Sequence, residues 1–224
     1  MNKAIKKITA NNGGVFTGNG TNAYLIGHED ITLVDPGPNS PEHIDRILLE
    51  GGDKIKRILV THTHTDHSPA ALPISKELNI PMFGRLVDRE SQWEDETFIP
   101  DNVLSHGDII STDEYSLETI HTPGHASNHL CFYLKENKCI LTGDHIMDGS
   151  TVVIAPPDGK MRDYLKDIVQ HTHGLGVIES AKIVNEEGTS SLDAMDDDRT
   201  VIVQATFKEQ VPGLSGTFGL PNLS

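Results

Sequence analysis

With 224 residues and a formal net charge of −15, the chain is long enough for one large domain or two small ones around a real hydrophobic core. Its negative field opposes long-range attraction to phosphate backbones and anionic membranes, and no apolar run approaches the roughly 20 residues that a membrane helix needs. A dedicated nucleic-acid module is thereby disfavoured, though a nuclease is not, because bound cations supply local positive charge that a global count ignores.

The opening "MNKAIKKITANNGG" has two lysine clusters but no long apolar region behind them. No signal peptide is read there, and a soluble cytoplasmic protein is the expectation. "AYLIG" and "ITLVDPG" are short β-type runs separated by "HED", a hairpin signal. Ser40 followed by Pro41 marks an N-cap and first helical position, predicting a helix from about Glu42 to Glu50. "IKRILVT" then reads as a buried strand. Ser68 and Pro69 repeat the cap signal, so "PAALPISKELN" is predicted helical, with Pro73 close enough to the first turn to be tolerated.

Further on, "YSLETIH", "NHLCFYL" and "CILTGD" read as strands and "GKMRDYLKDIVQ" as an amphipathic helix. Strands and helices alternate without the one-for-one pattern of a doubly wound sheet, so the expected class is α/β, with sheets packed together and helices outside. The only cysteines, Cys131 and Cys139, fall in one hairpin around "KENK". If Lys135 pairs with Lys138 across that turn, Cys131 faces Thr142 and Cys139 faces Leu134, so the thiols do not oppose each other. Free, partly buried thiols are expected, in keeping with a reducing compartment.

Beyond about Gln170 the character changes. "SSLDAMDDDRT" is acidic, "TVIVQATF" could be one strand, and "VPGLSGTFGLPNLS" is rich in Gly, Pro and Ser. The expected organisation is one domain over residues 1–170 and a divergent tail over 171–224 with the composition of a poorly ordered segment, a compact second domain being the alternative.

The chemistry concentrates in "THTHTDH". A strand ending at Thr61 delivers the following loop to the rim of a sheet, and His62 and His64, two apart, project to the same side of an extended segment. Asp66 and His67 follow at once. Neutral imidazole and carboxylate are ligands for zinc, manganese or iron. "HTPGHASNH" adds His125 in a Pro/Gly turn after one strand, and "ILTGDH" adds Asp144 after another. Three ligand-bearing segments at strand ends imply one shared rim. His28, His43 and His106 stand alone and are read as ordinary structural or surface histidines.

These residues carry a resemblance. "THTHTDH" matches the His-x-His-x-Asp-His signature of the metallo-β-lactamase superfamily, and "TNAYLIG", "LVDPGP", "TPGH" and "TGDH" match its flanking motifs in order, over Thr21 to about Leu165. "TPGHASNHL" and "GDHIMDGSTVVIAPPDGKMRDYL" look most like the β-lactamase-like-protein-2 branch, whose relatives include hydroxyacylglutathione hydrolases and an RNA-cleaving member. The resemblance implies an αββα sandwich with a two-ion, zinc-type site at one edge. His62, His64 and His125 would hold one ion, Asp66 and His67 the second, and Asp144 would bridge both. It also implies that Asp35 supports the turn rather than ligating. His129 and His145 are typical of this branch, either backing the ligands or touching substrate, while His121 is read as structural.

The sequence departs from that pattern in one respect. Superfamily members usually supply a further histidine from a Gly-His-Gly turn after a strand; here the strand candidate "LGVI" runs into "ESAKI". His171, His173 or Glu179 could take its place. The resemblance implies a metal-dependent hydrolase in which Asp66 orients and helps to deprotonate a water, acting on a small ester, thioester or phosphodiester. RNA cleavage, a degenerate metal-binding protein lacking the last ligand, and a mono-iron redox enzyme are the competing readings. No basic stripe with interleaved aromatics favours RNA.

Overall fold

In the computed structural model, residues 5–88, 91–147, 152–174, 180–186, 189–195, 202–207 and 216–221 are described. Two sheets form the centre. The first has six strands in the order β1 (Ile5–Thr9), β2 (Asn22–Ile26), β3 (Ile31–Val34), β4 (Ile55–Leu59), β5 (Met82–Gly84) and β6 (Asn102–Val103). Its first three strands run antiparallel and the pairs from β3 to β6 are parallel. The second sheet is antiparallel, with β7 (Ile109–Ser111), β8 (Ser116–His121), β9 (Leu130–Leu134) and β10 (Cys139–Leu141) in the order β10-β9-β8-β7.

Alternation on the central strands builds the layers. Leu33 and Ile58 point to one side, where they pack with Ile47 of helix α1 (Pro41–Gly51) and Ile74 of α2 (Ala71–Leu78). Their neighbours Val34 and Leu59 point to the other side and meet Leu117, Leu130 and Phe132 of the second sheet. Each such buried aliphatic or aromatic side chain contributes roughly 1.5–3 kcal/mol. Cys131 lies on the opposite face of β9 from Leu130 and Phe132 and is also buried. Helix α3 (Met161–Gly174) covers that side, with Asp167 near enough to act on the Cys131 thiol. The order is therefore helix, sheet, sheet, helix, the expected αββα sandwich. Among the described residues no helix is long and apolar enough to cross a membrane.

One irregularity sets the phase of this arrangement. In the parallel β3–β4 pair, Ile31 lies opposite Ile55 but Thr32 lies opposite Arg57, so Lys56 has no counterpart. Ile55 and Ile58 consequently share the helix-facing core although an odd spacing separates them.

The predicted hairpins and helices fall where expected, including the cysteine register, with Cys139 opposite Leu134 and both thiols free. Ser40 occupies the N-cap position before Pro41 without a side-chain cap bond. Ser68 is a correction: its hydroxyl donates to the Asp95 carboxylate at 2.7 Å, and α2 begins later, with Ala70 at the N-cap position. A tertiary partner has taken the group that local sequence assigned to capping. After residue 179 the described strands β11 (Ser180–Glu186), β12 (Thr189–Met195), β13 (Ile202–Phe207) and β14 (Gly216–Pro221) form an antiparallel sheet of their own, ordered β13-β12-β11-β14. The strand candidate "TVIVQATF" coincides with β13; "LGVI" lies outside the described residues.

Candidate metal centre

Asp35 follows β3 with a positive φ of 49°, a conformation that aspartate tolerates better than most side chains. That turn aims its carboxylate across to the end of β4. One oxygen accepts the Thr61 backbone N–H at 2.7 Å; the other accepts the Thr61 hydroxyl at 2.8 Å and lies 3.0 Å from His67 Nδ1. Asp35 is thus a support for the ligand loop, as the resemblance implied.

Three imidazoles converge beside it. His62 Nε2 lies 3.1 Å from His64 Nδ1 and 3.2 Å from His125 Nε2, and His125 Nε2 lies 3.0 Å from His64 Nδ1. Their outer nitrogens fix the tautomers. Since the Thr61 hydroxyl gives its proton to Asp35, it accepts from His62 Nδ1 at 3.0 Å. His125 Nδ1 donates to the Val153 carbonyl, and His64 Nε2 faces Glu94 Oε1 at 3.6 Å. The outer nitrogens of His62 and His125 carry the proton, and with the outer nitrogen of His64 turned to a carboxylate, three lone pairs point inward at one another. Neutral nitrogens so placed repel unless a cation lies between them, and a tetrahedral ion with bonds of about 2.0–2.1 Å separates its ligand atoms by about 3.3 Å. The donor set fits a zinc-type ion. Burial and the neighbouring histidines hold His62 far below the ordinary imidazole range, and burial with His125 pushes His64 down to about 3. Both are neutral, as ligands must be.

A second group comprises His62, His67 and Asp144, with ligand atoms within 4.8 Å of one another. Asp144 reaches both groups: its carboxylate lies 3.3 Å from His67 Nε2 and 3.5 Å from His125 Nε2. Asp66 stands 3.4 Å from the same His67 nitrogen and accepts the Thr21 hydroxyl at 3.1 Å. Burial alone would lower His67, but Asp144, Asp66 and Asp35 outweigh it and raise His67 well above the ordinary range. Burial would likewise raise Asp144, yet His67 holds its carboxyl well below the usual carboxylate values. A proton on His67 therefore plays the charge-balancing part that a second ion would take. All six sequence-derived residues, His62, His64, Asp66, His67, His125 and Asp144, meet at this rim.

The roles left open for His129 and His145 separate by burial. His129 is fully buried, donates from Nδ1 to the Thr122 hydroxyl oxygen and accepts the Asp144 backbone N–H at Nε2, 3.1 Å away, so it holds the bridging residue from behind. His145 is buried against Asp167 of α3, 2.9 Å away, and its carbonyl accepts the Tyr164 hydroxyl. Both back the site from within. His121 binds the Ser127 carbonyl at 2.9 Å and steadies the His125 turn, and His106 accepts the His121 backbone N–H. His43 is buried in α1 under Gly37, and His28 is exposed in the β2–β3 turn. The side chains of His171 and His173, and the whole of Glu179, lie outside the described residues.

Two glycines permit the convergence. A Cβ on Gly124 (φ +152°) would come within 2.5 Å of the Tyr164 backbone, and one on Gly143 (φ +49°) within 2.8 Å of His129 Nε2 and Thr61 Oγ1. The turns that present His125 and Asp144 can thus press directly on their supports.

Glu94 escapes a reading of the sequence. It pairs with His64 as an isolated β-bridge, accepts the Thr63 hydroxyl, and its side chain is only 8 % exposed. Burial pushes its carboxyl up to about 6. Asn128 in turn donates to Thr63 at 2.7 Å, so a chain of hydrogen bonds orients the carboxylate behind His64. The metal groups open into a cleft of about 230 Å³, lined near its floor by Asp66, Asp144 and Asp158.

Comparison with known proteins agrees with this geometry. The profile of the metallo-beta-lactamase superfamily matches residues 16–181. An atrochrysone carboxyl ACP thioesterase of Aspergillus chevalieri is 31% identical over 182 residues, 78% of this chain and 52% of that protein. The chain spans about half the length of the curated relatives it matches. Among solved structures, the BLEG-1 B3 metallo-beta-lactamase aligns with a TM-score of 0.63 at 21% identity, over 78% of this chain and 89% of that one. TTHA1623, in a di-iron-bound form, aligns with a TM-score of 0.59 at 23% identity, over 76% of this chain and 86% of that one. With a profile that covers most of its length and a fold and ligand rim to match, the chain belongs to the metallo-beta-lactamase superfamily.

Proposed function

We propose that the protein is a metal-dependent hydrolase that opens a small acyl ester or thioester. The observation that carries this reading is the inward convergence of His62 Nε2, His64 Nδ1 and His125 Nε2, with the His62 and His125 tautomers fixed from outside. In this reading those three residues hold one ion, Asp66 and His67 a second, and Asp144 stands between them. Zinc suits the imidazole and carboxylate donors, with manganese and iron the other ions of matching chemistry. Bound divalent ions would supply Lewis acidity and lower the pKa of water from about 15.7 toward about 7.

The chain's own residues do the rest. Asp66 lines the cleft with its side chain 30% exposed, placed to orient the attacking water and accept its proton on a carboxylate oxygen. Thr21 restrains the other motion of that carboxylate through its hydroxyl. Asp35 and His129 hold His67 and Asp144 in position. No serine or cysteine nucleophile is needed, and both cysteines lie outside the ligand segments.

The name of the Aspergillus chevalieri relative supports a thioester among the acyl substrates, within the branch that "TPGHASNHL" suggests. Among the described residues that line the cleft no Lys or Arg stands to pair with a phosphodiester polyanion such as RNA, which weighs against that substrate. A hydrolase unit over residues 1–170 with a divergent tail over 171–224 is part of this proposal; the profile match runs from residue 16 to residue 181. A degenerate, one-ion protein is the second reading, favoured by the composition of the second group among the described residues, in which His67 and Asp144 are joined by His62, itself a ligand of the first.

Elemental analysis of the purified protein, combined with turnover of small acyl esters and thioesters, tests both. About two ions per chain and a loss of turnover of at least about 100-fold in Asp66→Ala are expected. One ion with no turnover selects the degenerate reading, and unchanged activity in Asp66→Ala removes the hydrolase.

A further inference from the structure

The mouth of the cleft is built unlike its floor. Val15 and Phe16, at the tip of the loop between β1 and β2, are 91% and 60% exposed, and Trp93 is 41% exposed. Large apolar side chains scattered singly on a surface need no explanation, but these converge on one opening. The Phe16 and Trp93 rings approach to 6.1 Å between centroids, tilted 57°. Both line the same cleft as His64, His125 and Asp144.

Neither arm is loose in its attachment. Gly14 and Gly18 exchange backbone hydrogen bonds of 3.0 and 2.9 Å, drawing the loop into a narrow tip, and Thr21 at its base donates to Asp66. On the other side the Trp93 carbonyl accepts the Thr65 N–H at 2.9 Å, and Asp95 N–H donates to the Thr63 carbonyl at 2.7 Å. The segment carrying Trp93 therefore runs alongside the ligand loop. The two backbone segments that carry the aromatic rings are thus tied to the ligand loop and to Asp66.

Chemistry decides what they receive. Met147, Val153 and Ala155 extend the apolar lining, and among the described residues that line the cleft there is no Lys or Arg. None of these side chains would pair with a phosphate or sulfate group. A hydrocarbon or aromatic group gains by leaving water for such a lining, and the two tilted rings suit a flat or slender apolar body.

We propose that Phe16 and Trp93 form an aromatic clamp for the apolar acyl part of the substrate, selecting uncharged acyl groups larger than acetyl. The identity of the occupant rests on the hydrolase reading above; the clamp itself rests on the exposed rings and the lining of the cleft.

Trp93 is the chain's single tryptophan, so its emission reports on this mouth alone. The metal-loaded protein is titrated with hexanoate and benzoate, with acetate and inorganic phosphate as controls. Saturable changes with the first two and none with the controls are expected, and in Phe16→Ala the midpoints should move at least about fivefold higher. In kinetics, the ratio of kcat/KM for hexanoyl over acetyl thioester should fall about tenfold in Phe16→Ala and Trp93→Ala, and recover in Trp93→Phe, which restores a ring.

Equal emission responses to acetate and hexanoate, or a selectivity ratio indifferent to both alanine variants, would overturn the clamp. Thioester hydrolysis without either effect removes the clamp and leaves the hydrolase standing. Emission responses without any hydrolysis do the reverse. If sedimentation shows a dimer that Phe16→Ala dissociates, with emission deaf to all four anions, the mouth is a contact between copies and the proposal fails.

Discussion

The hydrogen bond from the Thr61 hydroxyl to the Asp35 carboxylate, 2.8 Å long, decides which nitrogen of His62 carries a proton. With its own hydrogen committed, Thr61 can only accept from His62 Nδ1, and Nε2 is left bare toward His64 and His125. Asp35→Asn removes the charge and one acceptor oxygen; the amide N–H in its place has nothing to offer the protonated His67 Nδ1 and can donate to the Thr61 hydroxyl, freeing that hydroxyl to donate to His62 Nδ1 and reverse its tautomer. We expect metal affinity to fall roughly 10–100-fold, the usual cost of losing an outer partner of a ligand. Competition with a chromophoric chelator measures it, and an affinity within twofold of the parent would refute this ordering of the protons.

Glu94 should act on His64 in the same manner. Glu94→Gln is expected to weaken metal binding by about tenfold and to unsettle the His64 tautomer, visible in the imidazole nitrogen shifts. The metal-free protein should respond in the opposite direction. Because the folded-state pKa of Glu94 is pushed up to about 6 from 4.5, ionising it costs the fold stability as pH rises through that interval, and the cost is absent below it. Glutamine carries no such cost. The melting temperature of the metal-free variant should therefore exceed the parent's at pH 8 and match it near pH 4.

The two metal groups should also differ in the protons they release. His62 and His64 are held neutral at pH 7, whereas His67 is raised and protonated. Loading the first ion should then release almost none and loading the second about one proton per chain. Calorimetric titration in buffers of different ionisation enthalpy separates the steps. Equal release in both would contradict the assignment of charge.

Gly124→Ala tests how tightly the His125 turn sits on α3. The new Cβ would meet the Tyr164 backbone at 2.5 Å in a conformation that alanine rarely adopts. A loss of several kcal/mol of stability is expected, within the tail of large single-residue effects, together with the first ion. Thermal melting and metal content of the same preparation give both readings; a variant that melts with the parent and keeps its ion would show that the turn can slide.

How much of this was written in the sequence depends on distance along the chain. His62, His64, Asp66 and His67 sit within one loop, and His125 and Asp144 follow strands with strong alternation, so their meeting at a sheet rim could be read directly. Glu94 and Trp93 reach the site through pairing with the ligand loop, a contact that leaves no spacing to detect. Ser68 misled for a related reason, since Asp95 lies far along the chain and outbids the helix for its hydroxyl. The strands β5, β6 and β7 are too short to show a period. For His129 and His145 residue type alone could not choose between backing and contact; burial could.

The unmatched Lys56 acts on a site it never touches. As the one unpaired residue near the start of β4 it is absorbed by a local bulge, which is why Ile58 still turns toward the helices opposite Leu33 and Leu59 toward the second sheet opposite Val34. Were a residue added or removed beyond Arg57, where the pairing is regular, the side chains after it would trade layers and the imidazole of His62 would emerge on the wrong side of its strand. The reach of the cation site thus includes a kink at the far end of β4, and a chain altered by one residue past it could lose its chemistry with every ligand still encoded.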